Sequence, residues 1–263
     1  MVQSARPTST WPPHSDMKIL ALETSGNDCS AALLIDDQLE QRCETAPRRH
    51  ADLILGMLEA LLQEAHLPLS ALDAIAYGRG PGSFTGVRIA TAVAQGIAFG
   101  ANRPVIGVST LAATARAAYR QTGQRKIACA LDARMGEVYW GCYRIDDNDQ
   151  TRLLDLESVV TPDRTPALDG SGWCGAGSGW EAYPTLAERH QASLMSDANP
   201  DPDPDPESEP TRVRLLADSG PQAEDIAWLA RATAQNAQRP DQALPVYLRN
   251  RVTDVRPKPA ESS

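Results

Sequence analysis

An excess of positive charge is missing from this 263-residue sequence, where 25 Lys and Arg stand against 34 Asp and Glu for a net charge of -9. Asp201, Asp203, Asp205, Glu207 and Glu209 form one acidic run, and without it the remainder carries about -4. Phosphate contacts dominate nucleic-acid affinity, so a chain with no cationic surplus does not grip RNA or DNA alone. Any nucleic acid in its work is expected to be held by a partner. Long apolar runs are missing as well: no segment is long enough to cross a membrane, and Met1 to Asp16 lacks the apolar stretch of a secretory signal. A cytoplasmic protein with a disordered tail over residues 1–16 is expected. Met17 directly precedes the first strand, and a product starting there is a further expectation that an intact-mass measurement tests. Paired metal ligands are missing too. His14, His50, His66 and His190 are isolated, with no partner at i, i+4 and no carboxylate at ligand spacing. Cys29, Cys43, Cys129, Cys142 and Cys174 are odd in number and form no C-x-x-C pair, which fits buried thiols in a reducing compartment.

What the chain does have is Gly78 to Arg88, Gly-Arg-Gly-Pro-Gly-Ser-Phe-Thr-Gly-Val-Arg, set between a short apolar strand at 74–77 and the small and aliphatic run Ile89 to Gly100. A strand that enters a glycine-rich turn and leaves as a helix aims backbone N–H groups and the helix dipole at one spot. That spot suits an anion or the edge of another protein. The turn is not a Walker A loop, because no Gly-Lys-Ser/Thr follows at the required spacing. Gly86 falls too late for a Rossmann fingerprint, and neither Gly82-Ser83-Phe84 nor Gly177-Ser178-Gly179 is a nucleophile elbow. Ser83 and Thr85 are placed to cap the helix.

The two helices beside this turn carry contrasting faces. His50 to Ala65 places Leu53, Ile54, Met57, Leu58, Leu61 and Leu62 at helical spacing, a wide apolar face. The helix after the turn is small, with Ala90, Ala92, Ala94, Gly96, Ala98 and Gly100. Glycine inside a helix costs about 1 kcal/mol relative to alanine, so Gly96 argues for close backbone approach, by its own sheet or by another subunit.

Lys18 to Thr24, Cys29 to Ile35 and Gln38 to Thr45 read as three strands joined by tight turns, followed by helix, strand, helix and the strand Val105 to Val108. Hairpin strands followed by alternating helices and strands imply an α/β fold with a mixed sheet. Leu111 to Arg120 reads as a helix, and Lys126 to Ala133 with Glu137 to Arg144 as a hairpin. The first subdomain is expected over 17–108 and a second, smaller one over 109–240. Within the latter, Asp/Pro alternation marks 197–210 as a disordered insertion, helix 222–235 is free to pack back on the first subdomain, and 241–263 is an extended tail. Glu23, at the end of the first strand, is where a sugar-kinase-like fold presents an acidic residue. That supports a phosphotransferase alternative, with Asp132 as its second carboxylate or simply a strand-end turn former.

Leu20-Ala21-Leu22-Glu23-Thr24-Ser25, Arg49-His50-Ala51-Asp52, the block Gly78 to Arg88, Gly107-Val108-Ser109-Thr110-Leu111 and Pro245-Val246-Tyr247-Leu248-Arg249 together resemble the bacterial TsaB (YeaZ) family. The resemblance spans about Lys18 to Arg249. It implies an actin-like ATPase-type (ribonuclease H-like) fold of two α/β subdomains with mixed sheets, the second shortened, and no catalysis or cofactor of its own. It further implies a scaffold for a TsaD-like catalytic subunit that works with a TsaE-like ATPase. The product is the threonylcarbamoyl group on the adenosine 3′ of the anticodon in tRNAs reading codons that begin with A. The two helices then pack on their TsaD counterparts as a four-helix bundle, and the same surface forms a homodimer when TsaD is absent. Glu23 stands where the family commonly has Asp, which weakens the phosphotransferase alternative. A peptidase alternative needs histidines that belong to the catalytic relative.

The candidate interface residues are Arg79, Gly80, Gly82, Ser83, Phe84, Thr85, Gly86, Arg88, Ala90 and Ala94 at the loop and second helix, with His50, Leu53 and Met57 on the first. Arg79 and Arg88 either reach a nucleotide phosphate at the shared boundary or are solvated helix-end arginines. Replacing Arg88 or Gly86 with Glu is expected to leave the chain folded and to abolish binding.

Overall fold

The computed structural model describes residues 17–194 and 215–249. The expected tail over 1–16, the Asp/Pro insertion at 197–210 and the segment after Arg249 lie outside the described residues.

The chain opens with β1 (Lys18–Glu23), β2 (Asp28–Ile35) and β3 (Gln38–Thr45), an antiparallel meander. The continuous apolar sequence of β1 is that of a strand covered on both faces, and every residue after Lys18 is buried. β3 is more polar and forms the sheet edge. Then come α1 (His50–Glu64), β4 (Ala74–Gly78), α2 (Phe84–Ala101) and β5 (Val105–Val108). β4 pairs in parallel with both β1 and β5, which gives the order β3-β2-β1-β4-β5. α2 has clear ends: the Ser83 hydroxyl accepts from the Gly86 N–H at 3.4 Å, and Asn102 closes the helix with φ 51°.

The second unit comprises α3 (Thr110–Thr122), β6 (Lys126–Arg134), β7 (Glu137–Ile145), β8 (Thr151–Leu153), β9 (Ser158–Val160), β10 (Trp173–Ala176), α4 (Gly179–Ala182), α5 (Thr185–Leu194) and β11 (Leu215–Leu216). Its path β8-β7-β6-β10-β11 runs antiparallel, antiparallel, parallel, parallel, which is also the succession along β3-β2-β1-β4-β5. The two units therefore share one strand plan, as an actin-like fold requires. β10, α4 and α5 lie where the sequence pattern fades. The glycines there allow close approach rather than breaking structure: a Cβ on Gly175 would stand 2.6 Å from the Leu215 side chain and 2.7 Å from Trp180.

Helices cover both faces of the first sheet. Ile54 and Leu58 of α1 and Ala90, Ala94 and Ala98 of α2 pack with Leu20, Leu22, Ala31 and Leu33 on one face. On the other face, α6 (Ala223–Ala232) brings Ile226, Ala227 and Ala230 against Ile19, Ala21, Ala32 and Ala76. Full burial of each Leu or Ile contributes roughly 1.5–3 kcal/mol, so these two layers fix α1 and α2 as rigid bodies on the sheet.

Candidate functional site

The glycine-rich turn is held to its own chain by main-chain and hydroxyl hydrogen bonds. The Ser83 N–H donates to the Ser25 carbonyl at 2.9 Å, the Thr110 N–H to the Gly80 carbonyl at 3.1 Å and the Thr24 hydroxyl to the Gly86 carbonyl at 2.7 Å. The Thr110 hydroxyl donates to the Pro81 carbonyl. The glycines permit this closeness. A Cβ on Gly78 would stand 1.7 Å from Glu23 Oε2, one on Gly82 2.7 Å from Ser25 Cβ, and one on Gly86 2.0 Å from the Thr24 carbonyl oxygen. Gly80 has φ +99° and lies beneath the Val246 carbonyl.

These distances show which of the expected interface residues the chain packs against itself. Gly80 and Gly86 are buried, Gly82 is half-buried, and all three are shaped by contacts within the chain. Ala90 and Ala94 are fully buried against the first sheet, and His50 is buried as well. The Ala90 and Ala94 side chains belong to the chain's own core. Leu53 and Met57 are half-buried at the margin of the same core. Ser83, Phe84, Thr85 and Arg88 are exposed.

The outer face of α1 and α2 has a different character. Leu55 is 55% exposed, Phe84 49% and Phe99 82%. Gly56, Ala92, Gly96 and Gly100 are exposed as well, and a Cβ on any of the three glycines would meet nothing within 4 Å. Glycine in a helix interior costs about 1 kcal/mol relative to alanine, and among the described residues no packing accounts for Gly56 or Gly96. Leu55, Gly56 and Phe99 were absent from the sequence-derived set. The usable signal was a large apolar residue lying off the buried stripe Ile54, Leu58, Leu61.

At the start of α2 the Arg88 guanidinium lies 3.6 Å from the Phe84 ring centroid, and its Nε donates to the Tyr247 hydroxyl at 2.9 Å. Arg79 is half-buried; its N–H donates to the Val108 carbonyl at 2.8 Å, its carbonyl accepts from the Val246 N–H at 2.7 Å, and its buried Nε has no partner among the described residues.

Glu23 is wholly buried beneath Gly78, with Oε1 accepting the Ser25 N–H and Oε2 unpartnered among the described residues. Burial raises its carboxyl from an ordinary 4.5 to about 7, against the lowering effect of the Ser25 hydrogen bonds. The folded chain therefore holds this proton more tightly than the unfolded one. The associated stability is present below about 4.5 and is lost as pH rises through about 7. Asp225, raised to about 7 chiefly by burial, acts in the same direction, so the measurement is a difference. Urea unfolding from pH 4.5 to 8 is expected to show Glu23→Gln losing less stability with rising pH than the unaltered chain; parallel curves would contradict this.

Asp132 is a turn former. It accepts the Arg134 N–H at 2.8 Å and the Tyr183 hydroxyl at 3.1 Å, and pairs with the Arg134 guanidinium at 2.9 Å. His190 is buried against Trp140 and bonded to the Thr165 hydroxyl at 2.9 Å, and burial lowers it to about 4.

A protein named tRNA threonylcarbamoyladenosine biosynthesis protein TsaB from Escherichia coli K12 is 37% identical over 240 residues, covering 90% of this chain and 96% of that protein. The Haemophilus influenzae protein of the same name is 39% identical over 183 residues, 66% of this chain and 78% of its own. The solved structure of YeaZ from Pseudomonas aeruginosa is 44% identical, covers 88% of this chain and 100% of its own, and superposes with a TM-score of 0.74. Residues 42–165 also match the profile of a family described as TsaD, tRNA N6-adenosine threonylcarbamoyltransferase.

Proposed function

The chain belongs to the TsaB family, and from that premise we infer that it serves tRNA threonylcarbamoyladenosine biosynthesis as the non-catalytic subunit that docks a TsaD-like transferase. The supporting observation is that α1 and α2 carry open glycines at Gly56, Gly96 and Gly100 together with exposed Leu55 and Phe99. A second helix pair approaching there gains close backbone contact at the glycines and buries the flanking side chains. The match of residues 42–165 to the TsaD profile fits a pairing between two related folds through equivalent helices. In the absence of the transferase, the same face pairs two copies of this chain.

Glu23 supports the non-catalytic reading over phosphotransfer, because its carboxyl is sealed under Gly78 and not open to a substrate. A nucleotide at the shared boundary belongs to the assembled pair. Among the described residues no helix is long and apolar enough to cross a membrane. On this reading the protein works in the cytoplasm and reaches tRNA only through the complex.

Reconstitution tests the reading. With a TsaD-like subunit, a TsaE-like ATPase and threonylcarbamoyl-adenylate supplied, modified adenosine is expected in tRNA only when this chain is added. ATP turnover by the chain alone, or full modification without it, would contradict the inference.

A further inference from the structure

Residues 243–249 run from one unit to the other in extended form, and nearly every step is anchored. The Gln95 amide donates to the Ala243 carbonyl at 2.8 Å, and the Tyr77 hydroxyl to the Leu244 carbonyl at 3.4 Å. The Val246 N–H donates to the Arg79 carbonyl at 2.7 Å, over the site that Gly80 leaves free of a side chain. Tyr247 then packs on Phe84, ring centroids 5.7 Å apart, and its hydroxyl accepts from Arg88 Nε. Two residues on, Arg249 reaches the β6–β7 turn. Its guanidinium donates to the Ala133 and Arg134 carbonyls at 3.1 and 3.3 Å and pairs with Glu137.

We propose that this segment is a clasp: Arg249 pins it to the second unit, and the pinned Tyr247 holds Arg88 over Phe84 to receive a carboxylate on the docking partner. The proposal rests on the docking role of α2 inferred above. A long exposed arginine ordinarily loses rotamer freedom when it binds, and a guanidinium already fixed by a ring and a hydroxyl avoids much of that cost. Nε is spent on Tyr247, while neither Nη atom has a partner among the described residues. Two adjacent N–H edges left open on a planar fork match a carboxylate. Tyr247 is thus a positioning residue, and Arg249 acts through it from the other unit.

The test uses the full chain with Arg249→Ala, Tyr247→Ala and the double variant. Hydrogen exchange is read on the chain alone, and affinity is read with a purified TsaD-like subunit. Arg249→Ala is expected to speed exchange at the Val246 amide. Each single variant is expected to weaken binding about five- to tenfold, through loss of the held cation, with a flatter salt dependence than the unaltered chain. The double variant is expected to be no weaker than the worse single one, because both substitutions release the same group. Unchanged exchange at Val246, unaltered affinity in Arg249→Ala, or losses that multiply in the double variant would each overturn the clasp. Failure of the unaltered chain to bind would count against the docking role instead, and the exchange measurement on the free chain separates the two.

Discussion

Gly86→Ala is expected to unfold well below the unaltered chain. A single methyl at this position would stand 2.0 Å from the Thr24 carbonyl oxygen and 2.9 Å from its carbon, both backbone atoms of the residue that follows β1. Neither moves without displacing the end of a central strand whose residues are fully buried. Overpacking of this kind costs about 3 kcal/mol, more than the roughly 1 kcal/mol that alanine gains over glycine in a helix. The net loss of about 2 kcal/mol corresponds, for a chain of this size, to a melting temperature lower by about 4–8 °C. Glu at the same position is worse still. The expectation that Gly86→Glu leaves a folded chain is therefore corrected, whereas Arg88, exposed on the outer turn, remains a position where charge reversal spares the fold. Thermal melting of Gly86→Ala beside Gly96→Ala separates the two kinds of glycine. Gly96→Ala meets nothing within 4 Å and is expected to melt at or slightly above the unaltered temperature.

Leu55→Asp is expected to cost binding more than stability. Its side chain is more than half exposed, so lost packing and the weaker helix preference of Asp together cost the fold about 1 kcal/mol. At the centre of a docked helix pair, a buried unpaired carboxylate replaces an apolar anchor, a loss of about 2–4 kcal/mol or roughly thirtyfold and more in affinity. Calorimetric titration against a TsaD-like subunit reads this directly. Affinity within twofold of the unaltered chain would remove Leu55 from the interface.

The sequence made some of this legible and not the rest, for identifiable reasons. Apolar runs and helical spacing placed β1, α1 and the β6–β7 hairpin, because those signals are local. The glycines of the turn announced a close approach but not to what: Thr24 and Ser25 lie about sixty residues upstream in the chain. Small residues occur at every second position from Ala90 to Gly100, and a 3.6-residue turn divides them into two faces. Ala90, Ala94 and Ala98 went to the chain's own sheet, and Ala92, Gly96 and Gly100 went outward. Only the placement of the sheet decides which set is which, and the sequence does not carry it. The tail was likewise readable as extended from Pro245, while its anchors on Arg79, Arg88 and the β6–β7 turn are all distant in sequence.

The most direct test is co-elution of the Gly96→Leu chain with a purified TsaD-like subunit on a sizing column. The outer face of α2 is open at Gly96, so leucine is accommodated in the free chain but holds an approaching helix away. The account predicts that the unaltered chain elutes with the partner as one complex, and that Gly96→Leu, with unchanged circular dichroism, elutes apart from it. Co-elution of Gly96→Leu in the same proportion as the unaltered chain would contradict the central claim that this helix face is the docking surface.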